Sequence, residues 1–271
     1  MMSVPANAVR SERRTLSSVF LDRSVVIDSY NFGLSEKAHA ASLLLINDGQ
    51  DLCKMPFQEL LAKVLQGTTL KPLLVVGIHC SEDRIQEYGM IHSVDYKGRG
   101  SKASLYRSFI LEELIPYLES FQQVDRFDEI AMAGFSLGGL SAFDLVWNEP
   151  GIFSKVGVFS GSFWWRSVDQ SHRSYTEAGS RLMHVQVRNG SFQPRLKFFF
   201  ACGDSDEAED RNGNGVIDAI DDTIDLMREL LAKGYLEGRD FHYEQLPGGR
   251  HDVATWALAF PAFLRWGWSQ K

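Results

Sequence analysis

Gly134-Phe135-Ser136-Leu137-Gly138 sets a serine between two glycines at the G-x-S-x-G spacing. A serine hydroxyl is a poor nucleophile until the backbone exposes it and a base takes its proton. The spacing suits a sharp strand-to-helix turn. Flanking glycines remove Cβ atoms that would strike neighbouring backbone, and the following helix aims free N–H groups at developing negative charge. Average glycine and serine usage produces the pattern by accident in roughly one chain of this length in ten, so its surroundings decide. EIAMAG at 129–134 reads as a strand and 138–148 as a helix. Ser136 is therefore the expected nucleophile of an acyl-transfer reaction.

Seven histidines compete to be the base. His251 lies in Gly248-Gly249-Arg250-His251-Asp252, after the last expected strand and before the last helix, where this kind of site places its histidine. His39 and His242 fall on apparent strands or their edges, and His172 and His184 in an irregular stretch. His92 sits in a long loop within reach of a substrate, and His79 follows a buried strand, as a histidine satisfied by hydrogen bonds would. The acid that orients the imidazole belongs between serine and histidine, at a strand end. Gly203-Asp204-Ser205-Asp206-Glu207 supplies three carboxylates. Asp206 is the first choice, Asp204 the second and Glu207 the third; chain order alone does not separate them.

The elements that must position these residues alternate along the chain. Strands are expected at 43–46, 73–78, 129–134, 156–160, 196–202 and 241–246. Helices are expected at 57–65, at 105–121 with a kink or restart near Pro116, and at 138–148 and 222–233; a last one at 252–266 is interrupted at Pro261. Continuous apolar strands alternating with helices imply an α/β fold with a mostly parallel sheet covered on both faces. The 271 residues suit one domain, with an irregular aromatic excursion at 161–195 over the sheet. The formal net charge of −7 and the lack of a Lys/Arg run argue against nucleic acid as a partner. Three sparse cysteines, Cys53, Cys80 and Cys202, fit a reducing compartment rather than a disulfide framework. No apolar run is long enough to span a membrane, and Met1 to Arg14 holds no apolar leader core, so a cytoplasmic protein is expected unless a leader was trimmed away.

Longer motifs now accumulate: Leu45-Ile46-Asn47-Asp48-Gly49-Gln50, Glu112-Glu113-Leu114-Ile115-Pro116-Tyr117, Ala133-Gly134-Phe135-Ser136-Leu137-Gly138-Gly139, Ser160-Gly161-Ser162-Phe163-Trp164-Trp165, and Gly249-Arg250-His251-Asp252 with Trp256. Over roughly residues 40–266 the chain resembles the esterase D-like family of α/β-hydrolases. That family includes siderophore (enterochelin) esterases, feruloyl esterases, S-formylglutathione hydrolases and mycolyltransferases. The Ser-Gly-Ser-Phe-Trp-Trp stretch is most similar to the siderophore branch. Ala201-Cys202-Gly203-Asp204-Ser205-Asp206 is similar to the feruloyl-esterase acid loop, whose aspartate matches Asp206. The resemblance implies the α/β-hydrolase fold and an oxyanion hole from two backbone N–H groups, those of Leu137 and Gln50. It departs from some siderophore enzymes in showing no separate N-terminal module.

Residues 210–221, Asp-Arg-Asn-Gly-Asn-Gly-Val-Ile-Asp-Ala-Ile-Asp, also follow the spacing of a twelve-residue EF-hand-like calcium loop. Oxygen ligands fall on Asp210, Asn212, Asn214, Val216 (through its carbonyl), Asp218 and Asp221, with Gly215 at the sharp turn. The terminal Asp in place of Glu resembles dockerin-type loops. The plainer reading is an Asn/Gly turn leading into an Asp-capped helix. Calcium here would be structural, and catalysis needs no cofactor.

On the substrate side, Arg84 and Tyr88 follow the strand 73–78, at the edge where open α/β sheets admit ligands. Trp164 and Trp165 either wall an aryl or sugar group or plug the core beneath the excursion. The expected activity is hydrolysis of a small-molecule carboxylic ester through a Ser-His-Asp triad and an acyl-enzyme. The competing readings are an acyltransferase using the same machinery and a catalytically silent calcium- and ligand-binding protein on a hydrolase scaffold.

Overall fold

The structure is a computed structural model that describes residues 9–32, 41–122, 124 and 126–270; His39 lies outside them. One eight-stranded sheet runs in the order β1-β2-β4-β3-β5-β6-β7-β8. Its strands are β1 (Arg10–Ser18), β2 (Arg23–Phe32), β3 (Ser42–Asn47), β4 (Leu73–Ile78), β5 (Glu129–Phe135), β6 (Phe153–Phe159), β7 (Lys197–Gly203) and β8 (Phe241–Leu246). β3 to β8 pair in parallel, while β1 with β2 and β2 with β4 pair antiparallel. The helices are α1 (Phe57–Gly67), α2 (Arg84–Glu87), α3 (Ala103–Ser108), α4 (Ile115–Gln122), α5 (Leu137–Asn148), α6 (Glu177–Ser180), α7 (Leu182–Asn189), α8 (Asp218–Lys233) and α9 (Val253–Trp268). This is the α/β-hydrolase arrangement, a mostly parallel sheet with helices on both faces.

Strand side chains alternate between two cores. Leu43, Leu45, Leu74, Val76, Met132, Val156, Val158, Phe198 and Phe200 enter the core that also receives α3–α5, α7 and α8. Leu44, Ile46, Leu73, Val75, Ala131, Ala133, Phe135, Phe159, Phe199 and Ala201 face the other core, closed by α1 and α9. Both cores exist because the central strands are apolar over most of their length, which stabilises a strand only when both faces are covered.

Four elements differ from the sequence expectations. The hairpin β1–β2 was not anticipated, because its charged, alternating residues carry no continuous apolar run. The restart expected near Pro116 is present, α4 beginning at Ile115, but the π-helical turn Phe109–Leu114 that leads into it was not expected. Proline offers no N–H to the carbonyl four residues back and crowds it, and a widened turn relieves both problems. α9 runs through Pro261 without a break, held by Phe260, Phe263 and Leu264 in the core. The excursion between β6 and β7 is less irregular than expected, since it contains α6 and α7 and buries Phe163, Trp165, Met183 and Val187.

Ion pairs bind the excursion to α8. Arg181, 6% exposed at its side chain, reaches Asp222 at 2.8 Å and Asp225 at 2.7 Å. Arg211 reaches the same Asp222 at 2.6 Å and Glu177 at 2.9 Å. Between them His184 Nε2 meets the Asp222 carbonyl at 2.8 Å, while Nδ1 is buried without a partner among the described residues. Burial, with Arg181 close by, pushes the imidazole pKa down to about 3. Unfolding therefore releases a histidine that takes up a proton near pH 6.5, whereas the folded one stays neutral. Its contribution to stability is complete above about pH 6.5 and is lost as the pH falls toward 3. Urea titrations across this range should show a shallower loss of stability on acidification for His184→Gln than for the unaltered protein; parallel curves would contradict the assignment.

Candidate active site

Ser136 joins β5 to α5 with φ 52° and ψ −121°, a backbone region that costs a non-glycine residue about 1–3 kcal/mol. Its surroundings hold it there. The Ser136 N–H donates to the Phe159 carbonyl at 2.9 Å, and its own carbonyl accepts from Gly139, Leu140 and Ser162 at 3.0, 3.2 and 3.1 Å. A Cβ on Gly134 would collide with the backbone of Gly138, and one on Gly138 would lie 2.6 Å from Asp48 Oδ2. The motif's glycines are thus required by close contact. Ser136 Oγ lies 3.4 Å from Ser162 Oγ, a neighbour from the Ser-Gly-Ser motif whose part in the site spacing alone did not reveal.

The acid and base loops press together at the ends of β7 and β8. Asp204 N–H and Gly249 N–H both donate to the Leu246 carbonyl, and Ser205 N–H donates to the Gly249 carbonyl at 2.8 Å. A Cβ on Gly203 would collide with the Gly249 carbonyl and lie 2.6 Å from Asp206 Oδ1. The three candidate acids have different surroundings. Asp204 is exposed and accepts the Gly248 N–H at 2.7 Å, bracing the turn before His251. Glu207 accepts the Ala219 N–H at 2.6 Å in the first turn of α8. Asp206 has a fully buried side chain, and neither of its oxygens is hydrogen-bonded among the described residues; His251 Nδ1 stands 3.6 Å from Oδ2. A buried carboxylate with no donor is costly unless a partner is meant for it, and His251 is the group that faces it.

His251 is 41% exposed at its side chain. Its ring stands edge-on to Trp256, with centroids 5.3 Å apart. Trp256 is fixed in turn by stacking on Phe135 at 4.9 Å and by an Nε1–H bond to Ser160 Oγ at 2.9 Å. Asp252 caps α9 by accepting the Thr255 N–H at 2.8 Å. No hydrogen bond joins His251 to Ser136 among the described residues; such contacts commonly tighten only with substrate in place. The remaining described histidines are committed elsewhere or lie apart: His79 to Asp28 at 2.8 Å, His184 as above, His172 to Ser174 at 2.7 Å, His242 beside Phe199, and His92 exposed.

Leu137 and Gln50 each stand in the first turn of a helix, α5 and the 3-10 turn Gly49–Lys54, where N–H groups have no intrahelical acceptor. Residues 47–50 are pinned beside α5. Asn47, fully buried, donates to the Gly138 carbonyl at 2.8 Å and accepts from Tyr106 at 2.6 Å. Asp48 has φ 61° and donates its N–H to the Tyr88 hydroxyl at 3.1 Å.

Three of the four residues expected on the substrate side are committed elsewhere. Tyr88 is completely buried under this loop, and Arg84 forms a two-pronged pair with Asp48, both contacts 2.7 Å. Trp165 is a core plug, packed between Gly89 and Gly100 and donating to the Ser93 carbonyl at 3.1 Å. Trp164 stays half-buried, with the Arg99 guanidinium 4.8 Å above its ring. The spacing that pointed to all four cannot tell a side chain facing the cleft from one facing beneath it.

The 210–221 loop also differs from the expected calcium site. Asp210 accepts the N–H groups of Gly213, Asn214 and Gly215. Asn212 and Asn214 each spend their only side-chain oxygen on a backbone N–H, of Asn214 and Val216 respectively, and turn their amide nitrogens to Asp221 Oδ2, both at 2.8 Å. Asp218 accepts from Arg211. A cation needs oxygens converging on it; with the amides in this orientation two N–H donors, not oxygens, face Asp221 Oδ2. Aspartates would have had a second oxygen to offer. Among the described residues no group of three or more His, Cys, Asp or Glu side chains has metal-binding geometry, and no helix is long and apolar enough to cross a membrane.

The family described as "Putative esterase" matches residues 30–266. The chain belongs to that esterase family. Among curated relatives, the uncharacterized protein YbbA of Bacillus subtilis is 30% identical over 158 residues, 56% of this chain and 62% of its own length. Among solved structures, the enterobactin esterase FES of Shigella flexneri in the presence of enterobactin superposes with a TM-score of 0.72 at 20% identity, over 95% of this chain and 58% of that one. A ferulic acid esterase superposes with a TM-score of 0.69 at 16% identity, over 96% and 98%. The chain thus spans less than two thirds of the length of the first two. The family implies a hydrolase, and the structural likenesses establish the shared fold.

The Gly203–Gly249 contact generates a mutational expectation. Gly203→Ala should lower stability by about 1–3 kcal/mol and depress any activity that needs Asp206 opposite His251. Gly151→Ala, where nothing lies within 4 Å of an added Cβ, should stay within about 0.5 kcal/mol. Equal urea midpoints for the two variants would refute the close-contact account.

Proposed function

We propose that the protein is a serine carboxylic-ester hydrolase. The observation that carries this reading is the pairing of a strained, half-buried serine at the strand-to-helix turn with a buried Asp206 carboxylate that has no hydrogen bond among the described residues and faces His251. In the proposed reaction His251 Nε2 accepts the Ser136 proton as Oγ attacks the ester carbonyl carbon. Asp206, at the Nδ1 side, holds the ring and stabilises its charged form. The Leu137 and Gln50 N–H groups stabilise the tetrahedral oxyanion. Collapse breaks the ester C–O bond, His251 returns the proton to the departing alcohol, and water then releases the acid from the acyl-enzyme. Two of the three thiols are poor rivals for this role: burial pushes Cys80 up to about 11 and Cys202 up to about 12.

Half-buried Trp164, with the Arg99 guanidinium over its ring and that cation paired in turn with Asp95, is the aromatic surface that the excursion offers to an aryl group. Esters whose acid part carries an aryl group are therefore the class to screen first, ferulate esters and the N-aroyl-serine ester of enterobactin among them.

Hydrolysis of p-nitrophenyl butyrate and labelling by a fluorophosphonate test the reading together. Ser136→Ala should abolish labelling and reduce turnover by about 10⁴-fold or more, and Asp206→Asn should reduce turnover by about 10²–10⁴-fold. A folded wild-type protein with neither label nor turnover would leave a binding protein on a hydrolase scaffold. Capture of the acyl group by an added alcohol in preference to water would make it an acyltransferase.

For the 210–221 loop the reading is a hydrogen-bonded brace between the acid strand and α8, complete without a cation. Millimolar calcium added to chelator-treated protein should leave the melting temperature within about 1 °C, since a weakly held ligand adds little to stability. A rise of several degrees would mean that both asparagine amides turn over to bind the ion.

A further inference from the structure

We propose that Arg84 is a positioning residue of the esterase reaction: its guanidinium locks the loop carrying the Gln50 N–H against the helix carrying the Leu137 N–H, and neutralises a buried carboxylate beside the oxyanion they stabilise. This rests on the serine-esterase reading above.

The argument starts from Asp48. It occupies the left-handed region, φ 61° and ψ 42°, where glycine is the unstrained choice, so its side chain must return something for the strain. That side chain is only 3% exposed. Its Oδ2 sits where a Cβ on Gly138 would come within 2.6 Å, which places the carboxylate against the first turn of α5. Its Oδ1 lies 3.4 Å from the Gln50 amide nitrogen. The carboxylate is therefore a wedge between the two backbone segments expected to hold the oxyanion.

Alone, that wedge would oppose the reaction. A negative charge in a low-dielectric site repels the developing oxyanion. Arg84 cancels it through two parallel bonds, Nε to Oδ1 and Nη2 to Oδ2, each 2.7 Å, a geometry that lysine cannot reproduce. The same Nη2 lies 3.5 Å from the Phe135 carbonyl, the last before the nucleophile, and the guanidinium sits 5.1 Å from the Tyr88 ring centroid. Tyr88 in turn accepts the Asp48 N–H. One cation thereby ties together the ends of β3, β4 and β5. Gln50 is locked from its other side, since its Oε1 accepts the Cys80 N–H and its Nε2 donates to Cys80 Sγ, both at 3.1 Å. The loop is thus held on both flanks while its backbone N–H stays free.

The test is a cycle of Arg84→Gln, Asp48→Asn and the double variant, assayed for kcat and KM on p-nitrophenyl butyrate, with urea midpoints as the check on folding. Arg84→Gln should lower kcat about 10²-fold, as losing one oxyanion donor does, with KM changed less than about 3-fold. The double variant removes the stranded charge, and Asn tolerates the left-handed backbone, so it should recover at least about 10-fold in kcat over Arg84→Gln. A merely structural role predicts the opposite, a double variant no faster than the worse single. If Arg84→Gln does not fold, Arg84→Lys, which keeps the charge but not the fork, should fold and lose about 10-fold in kcat. A kcat for Arg84→Gln within 3-fold of wild type, or a double variant no faster than it, overturns the proposal while leaving the esterase reading intact. A wild-type protein without Ser136-dependent turnover overturns both.

Discussion

The positive-φ backbone at Ser136 is the constraint around which the rest of the site is built. Left to itself, a serine would not adopt φ 52°. It does so because β5 and α5 are both held rigidly, β5 between two parallel neighbours and α5 buried along almost its whole length. The strain is offset by three donors on the Ser136 carbonyl and by a Gly134–Gly138 contact that no side chain could enter. The return is a hydroxyl standing clear at the edge of the sheet where a helix begins.

Two braces flank this elbow and differ in kind. On the side of β3 and β4 the brace is polar and closed: Asn47, Asp48, Arg84, Tyr88 and Tyr106 satisfy one another and leave the backbone of residues 47–50 little freedom. Oxyanion stabilisation works only if its donors need no reorganisation during reaction, so rigidity belongs here. On the side of β7 and β8 the brace is a glycine-to-glycine backbone contact with an unsatisfied carboxylate beneath an exposed imidazole.

The excursion over the sheet is anchored by charge as well as by apolar packing. Arg181 and Arg211 converge on Asp222 from the excursion and from the loop after the acid strand. Breaking one member of such a buried set leaves an uncompensated charge, which costs far more than the intact set contributes. The network therefore joins the segment bearing Trp164 and Trp165 to the one bearing Asp206. It also occupies carboxylates in a stretch whose spacing alone suggests a cation site.

The sequence by itself determined the strand–turn–helix setting of Ser136, the placing of Asp206 and His251 after strand ends, and the layered sheet, because these follow from local rules. Apolar runs specify buried strands, glycines specify tight turns, and the Gly-x-Ser-x-Gly spacing specifies an elbow. Asp206 was preferred among three carboxylates by resemblance, but its burial opposite His251 came only from the packing of β7 against β8. Tertiary structure also buried Tyr88, expected at the cleft, decided for Trp165 between the cleft and the core, and turned Arg84 toward Asp48. It likewise set the amides of Asn212 and Asn214 inward where oxygens were expected. The physical reason is common to all of these. Spacing along the chain says which residues share a strand end or a loop, whereas the direction of a side chain depends on the partner the fold brings to it: 36 positions away for Arg84 and Asp48, 72 for Trp165 and Ser93, and only 9 and 7 for Asn212 and Asn214 with Asp221.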